Sequence, residues 1–191
     1  MDPSLPATLL SIALGIGLAA AAGLRIFLPF LIVGVAAATG HLTLSPSFEW
    51  LASTPALVML AVATALEVLA YYVPGVDNLL DTIATPAAVI AGAVVAAAVM
   101  ADLPPLVKWT TALIAGGGVA GLTQGVTALM RAKSTALTGG LGNSAVATGE
   151  IGGSILLAVL AIAAPVVAVA VVVLVIWLGV RVARRLLRPA H

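Results

Sequence analysis

The chain has 191 residues, of which 62% are hydrophobic and only 8% charged, with a formal net charge of +1 and a mean hydropathy of +1.24. That is too little polar surface to cover a water-soluble globule, and no solvated basic domain exists to hold nucleic acid. Cysteine is absent, which excludes disulfides, thiolate metal sites and a cysteine nucleophile. Long runs of Ala, Val, Leu and Gly recur down the sequence, each able to cross a hydrocarbon core about 30 Å thick as a helix. A barrel would instead alternate in polarity over segments of about ten residues.

In chain order, "MDPSLPATLL" has no lysine or arginine before the first apolar run, so the first helix is expected to be retained rather than cleaved as a secretory signal. From Leu5 to Thr39 the chain is apolar apart from Arg25 and a few small polar residues. As one helix this stretch would be about 50 Å long, more than a single span needs. Gly23 can end a helix and Pro29 is tolerated in the first turn of the next, so a break is predicted at "GLR", with Arg25 inside it. "GHLTLSPSFEWLASTP" then reads as an interfacial loop with Trp50 at headgroup level.

Pro55 to Val73 is the next span and carries Glu67 about 10 Å of helix from its end at Pro74. The connector "PGVDNLLDTIATP" places Asp77 to cap a short helix, followed by a short span from Ala87 to Ala101. Another span, Trp109 to Met130, passes through "GGGVAG" and ends at Arg131 and Lys133, which read as cytoplasmic flanks. Ser134 to Glu150, "STALTGGLGNSAVATGE", is too small and polar for ordinary lipid contact. It fits irregular backbone lodged inside protein or beside water. Ile151 to Val180 is almost entirely apolar, is interrupted by Pro165, and ends in "RVARRLLRPAH", whose four arginines place the C-terminus in the cytoplasm. Two cytoplasmic basic clusters require an even number of crossings between them. Either Pro165 divides two short spans, or Ser134 to Glu150 crosses as a re-entrant element, or one cluster breaks the rule.

"AAGLR" at Ala21 to Arg25 is similar to "VAGLT" at Val119 to Thr123, and "AVATALE" ending at Glu67 to "AVATGE" ending at Glu150. A possible internal repeat follows, with halves 5–102 and 106–188 inside a single polytopic domain 1–191, a habit of transporters whose sites lie on interrupted helices between repeats. In a chain this rich in Ala, Val and Gly, such short matches also arise by composition alone.

Charges inside the bilayer cost about 2.5–3.5 kcal/mol each on the insertion scale, so Arg25 and Glu67 demand explanation. One reading makes them a pathway, with Arg25 attracting an anion and Glu67 carrying a proton or cation. The other pairs them with each other to pin the helices, or lets Arg25 snorkel to the interface. Glu150 either coordinates a cation with the carbonyls of "TGGLGN" or caps the helix that follows. Gln124 and Asn143 are candidate neutral lining groups. Asp77 and Asp81, four apart and on one helix face, suit the mouth of a pathway, as a weak divalent-ion pair or as solvated caps. "GGLGN" lacks the lysine and Ser/Thr of a phosphate-binding loop. His41 and His191 form no metal motif, and the serines lack a plausible histidine base, so no hydrolytic set is proposed.

The segments "AGLRIFLPFL", "LEVLAYYVPGVDNLLDTI" and "AGGGVAG" through "RAKSTALTGGLGNSAVATGE" resemble a bacterial family of small multi-span membrane proteins catalogued as a domain of unknown function. The resemblance runs from about Leu9 to Arg185, with "PGVDNLLDTI" after a glutamate-bearing span as its most specific motif. It carries over to Arg25, Pro29, Glu67, Pro74, Gly75, Asp77, Asp81, Arg131, Asn143 and Glu150. Gln124 stands near the place where the resemblance implies a histidine, and Glu150 is single where it implies an acidic pair. No activity comes with it.

Together these readings predict an all-α integral membrane protein of the bacterial inner membrane, a bundle of about six transmembrane helices with broken or re-entrant segments. The expected function is a small transporter or channel-like permeation protein, not an enzyme, with Arg25, Glu67, Gln124, Asn143 and Glu150 along its ion or substrate pathway. No cofactor or metal is expected. Its partners would be membrane lipids, a small solute or ion and, through small-residue faces, a second copy of itself. The alternative is a non-transporting scaffold or lipid-binding protein whose charges fix helix packing. A third class, an enzyme acting on lipid headgroups, would need the carboxylates and Arg25 gathered at one interface.

Overall fold

A computed structural model describes residues 4–73 and 76–186, with the side chains of 76–79, 81 and 182–186 left aside. Among the described residues the chain is helical throughout: α1 (Leu5–Ala22), α2 (Phe27–Ala38), a 3-10 helix (Pro46–Ala52), α3 (Thr54–Ala70), α4 (Val76–Val99), α5 (Pro105–Thr111), a π-helical segment (Ala112–Gly117), α6 (Gly118–Thr138), α7 (Asn143–Ala163) and α8 (Pro165–Leu186). Four stretches are long and apolar enough to cross a membrane: α1, Thr82–Val99 of α4, the continuous run Pro105–Thr138, and α7. The 3-10 helix and α3, bent 70° against each other, can form a fifth. The predicted number of about six falls between the four long spans and the larger total that includes this bent pair and the shorter apolar helices Phe27–Ala38 and Pro165–Arg181.

The predicted break between α1 and α2 is present, with Arg25 inside it and Pro29 in the first turn of α2. Gly23 serves it differently from a left-handed cap, because its φ is −69°. A Cβ there would lie 2.4 Å from the Ala120 carbonyl oxygen and 2.8 Å from Thr123 Cβ, so only glycine lets the end of α1 rest on α6. The two similar segments "AAGLR" and "VAGLT" therefore pack on each other. Their acidic counterparts are placed differently, Glu67 near the end of α3 and Glu150 in the first half of α7.

Three boundaries differ from the sequence prediction. The short helix after Pro74 and the span beginning at Ala87 are one helix, α4, which runs through Pro86. A proline in a membrane helix is tolerated where neighbouring helices or local adjustment satisfy the freed carbonyl. The glycine-rich span starts earlier and continues through Arg131 to Thr138. Ser134 to Glu150 is neither irregular nor re-entrant but a tight helical hairpin. Gly139 (φ +63°) and Gly140 (φ +92°) supply its left-handed turn. Its hydroxyls are satisfied locally: Thr138 Oγ1 donates to the Ser134 carbonyl at 2.7 Å and accepts from the Gly142 amide at 2.9 Å.

Helix α1 is central, packing on α4, α6, α7 and α8. Its second half, Leu18 to Ala22, is fully buried with Ala96–Ala98 of α4 and with Met100 just beyond it. Small residues let the backbones approach closely, which drives association where lipid removes the hydrophobic advantage. A Cβ on Gly92 would meet Ala120 Cβ at 2.3 Å and the Gly116 carbonyl oxygen at 2.9 Å. The chain reverses at Ala164, between α7 and α8. Gly17 of α1 faces both Ala161 and Ala168, near the bend, whereas Gly179 of α8 faces Val126, well along α6 toward Arg131. Helix α8 thus returns to the end of the bundle where α6 finishes, the geometry of the first of the three alternatives, in which Pro165 divides two helices.

Candidate functional site

At that end of the bundle three elements bring charge together. The break after α1 contributes Arg25, α6 contributes Arg131 and α7 contributes Glu150, with relative exposures of 1%, 2% and 4%. Glu150 Oε2 is ion-paired with both guanidinium groups: Arg25 Nη2 lies 3.1 Å away, and Arg131 Nη2 donates to it in direct contact. Arg25 Nη2 also donates to the Ala147 carbonyl oxygen, 3.1 Å away and one turn earlier on α7. The Tyr71 ring, just beyond α3, contacts both arginines, with centroid distances of 4.1 Å to Arg25 and 4.0 Å to Arg131. Cation–π contacts of this kind strengthen when the pair is desolvated.

The local sequence explains the depth. Arg131 stands seven residues before the end of α6 and Glu150 seven residues after the start of α7, each about 10 Å of helix from the hairpin turn. Of the buried polar positions of α6, Gln124, Thr127 and Arg131 recur at a spacing that keeps them on one face, with Thr123 beside them, and those of α7, Asn143, Glu150 and Ser154, do the same. The facing stripes form a polar seam. At the hairpin end Asn143 Nδ2 donates to Thr135 Oγ1 at 2.9 Å. Deeper, Ser154 Oγ donates to the Ala21 carbonyl at 3.0 Å.

Of the residues singled out in the sequence, Arg25, Glu150, Gln124 and Asn143 lie on or against this seam. Glu67 does not pair with Arg25. Its two carboxylate oxygens accept from the backbone amides of Ile26 (2.7 Å) and Phe27 (3.1 Å), satisfying amides at the start of α2 where the helix dipole favours a negative charge. Glu150 is no helix cap, because α7 begins two turns before it, at Asn143. It meets the two arginines. The side chains of Asp77 and Asp81 lie outside the described residues, and with them the capping and mouth roles. Pro74 and Gly75 lie outside them too. Among the described residues no group of three His, Cys, Asp or Glu side chains could hold a metal ion.

Arg131 and Tyr71 were not assigned to the site from sequence. Arg131 reads as a membrane-edge flank because "RAK" follows an apolar run. A signal did exist, since Arg131 lies seven residues after Gln124 and thus on its helical face. Tyr71, four residues after Glu67, carries the same kind of signal.

Several polar atoms of the centre have no hydrogen-bond partner: Arg25 Nε and Nη1, Glu150 Oε1 and Gln124 Nε2. Beside the centre a crevice of about 420 Å³ runs between α3 and α4 at the start of α2, with Glu67 and Tyr71 in its wall.

The sequence profile of a family described as "Domain of unknown function (DUF4126)" matches residues 12–185. The chain belongs to this DUF4126 family. No curated protein and no solved structure is significantly similar to it. The DUF4126 match covers the charged centre described above, and the chain's own apolar helices make it a multi-span membrane protein.

Proposed function

We propose that the chain is a small transporter or channel-like permeation protein, with Arg25, Glu150 and Arg131 as its polar centre. The observation that supports this reading is the set of buried polar atoms left without partners there. A buried donor or acceptor without a partner costs about 1–3 kcal/mol. A network that served only to pin helices would be better fully satisfied, or replaced by apolar residues. A permeating ion, proton carrier or water supplies the missing partners as it passes. In this mechanism Glu150 takes up a proton, its attraction for the two guanidinium groups falls, and Arg25 and Arg131 become available to an anion. Loss of the proton restores the closed, paired centre. Glu67 serves as a fixed cap of α2 and leaves the proton-exchanging role to Glu150, while Gln124 lines the deeper part of the seam.

The setting proposed is the bacterial inner membrane. The end of the bundle holding Arg131, Lys133 and the arginine-rich C-terminus would face the cytoplasm. Membrane lipids are the surrounding partner, a second copy of the chain can pack through small-residue faces, and no catalysis is assigned. The scaffold reading draws on one observation, that Arg25, Arg131 and Glu150 tie together three separate elements of the chain.

Flux of protons and small ions into proteoliposomes separates the two. The parent is expected to conduct, and Glu150→Gln to lose flux by about tenfold or more while remaining folded, the factor that one charge-assisted hydrogen bond is worth. Folded parent protein that moves nothing across a broad ion and metabolite panel overturns the transport reading in favour of the scaffold.

A further inference from the structure

The crevice beside the charged centre has two chemically different ends. Along α3 it is walled by Ala63, Leu66 and Ala70, and along α4 by Ile83, Ala84 and Ala87, spacings that form one apolar stripe on each helix. This is a single interhelical groove about two turns, or roughly 10 Å, long, with room for one alkyl chain side by side with the helices. Its mouth is rimmed by exposed apolar side chains, Phe27, Leu66 and Ile83, which in a membrane face lipid. At the inner end stands Tyr71, which lines the groove and with the same ring stacks on Arg25. Behind that ring Arg25 is 1% exposed and keeps Nε and Nη1 without partners. Glu67 also lines the inner end, but its carboxylate is engaged by two amides at the positive terminus of α2, which offsets its charge.

We propose that this groove takes a single-chain fatty acid from the bilayer, its alkyl chain between α3 and α4 and its carboxylate on Arg25, with Tyr71 as the side chain that moves to join groove and centre. The proposal deepens the permeation reading by naming its substrate class, and rests on it for the purpose of the site. Binding is measured without flux, so the two can fail separately. The groove selects an alkyl chain, Arg25 selects an anion over a neutral or cationic head, and its single-groove width selects one chain over two.

The test uses the full chain in phosphatidylcholine nanodiscs and a photoreactive hexadecanoic acid carrying its diazirine in the chain. Labelling is expected to concentrate on peptides bearing Phe27, Leu66 or Ile83. Unlabelled hexadecanoate is expected to compete about tenfold better than hexadecanol or hexadecyltrimethylammonium, the factor one charge-assisted hydrogen bond supplies. Leu66→Trp, made at a position 62% exposed and hence tolerant for folding, fills the groove and is expected to remove most of that labelling with circular dichroism unchanged. Arg25→Gln is expected to abolish the preference for the acid. Label spread evenly over all lipid-facing helices, equal or better competition by the alcohol or the cation, or labelling indifferent to Leu66→Trp would each overturn the proposal.

Discussion

A carboxylate ion-paired with two arginines that share one tyrosine ring is a costly thing to bury, and its cost makes it measurable. Removing one member of a buried pair leaves an uncompensated charge, worth about 3–5 kcal/mol. Glu150→Ala is therefore expected to lower stability by about that amount in detergent unfolding, more than any single substitution at an exposed position. Tyr71 permits a finer test. Tyr71→Leu loses two cation–π contacts and about 1–4 kcal/mol, at about 0.5–2 kcal/mol each, whereas Tyr71→Phe keeps both ring contacts and is expected to lose less than Tyr71→Leu. Glu67→Ala removes a capping carboxylate from α2 and is expected to cost about 0.5–2 kcal/mol, with the Arg25–Glu150 pair intact. A double-mutant cycle checks this, with strong coupling expected between Arg25 and Glu150 and weaker coupling between Arg25 and Glu67. Arg25 and Glu150 were legible in sequence because a charge within an apolar run has no cheap alternative explanation. Their pairing was not, because the candidate carboxylates differ in sequence only by position, and which one meets Arg25 depends on how α7 is placed.

Among the helices, the contacts that decide the packing are glycine contacts, and they divide into those with and without room. Gly92→Ala would place a methyl group 2.3 Å from Ala120 Cβ and is expected to cost about 1–3 kcal/mol by overpacking. Gly125 has nothing within 4 Å of its Cβ position, so Gly125→Ala is expected to be neutral or to stabilise by up to about 1 kcal/mol through helix propensity. Thermal melts of the two variants side by side check the contrast. The α1–α2 break was readable because Gly23, Arg25 and Pro29 all disfavour a continuous helix there. The continuity of α4 was not readable, because Pro86 carries the same breaking signal and only its neighbours in the fold offset it. The α6–α7 hairpin was misjudged for a related reason. Serines and threonines that look too polar for a helix bond to carbonyls one turn back, and that satisfaction is invisible in composition.

For the whole molecule, fold class followed from composition alone, since 62% hydrophobic residues leave few other solutions. The relative direction of the last helices is set by packing that composition does not encode. Because α8 returns alongside α6, Lys133 and Arg181 belong to the same end of the bundle, and Leu5, at the start of α1, to the opposite one. The chain lacks cysteine, so Lys133→Cys, Arg181→Cys and Leu5→Cys can each be labelled without background by a membrane-impermeant maleimide. The first two are expected to react from one face of the membrane and the third from the other. The placement of the central charge also bears on biogenesis. Arg25 is synthesised first, and the carbonyl it binds, Ala147, follows 122 residues later, an interval on the order of ten seconds at ordinary elongation rates. Throughout that interval the nascent chain holds a cation without its acceptor. Chains truncated before α7 should therefore be handed to chaperones or proteases, and insertion becomes permanent only when the last hairpin closes.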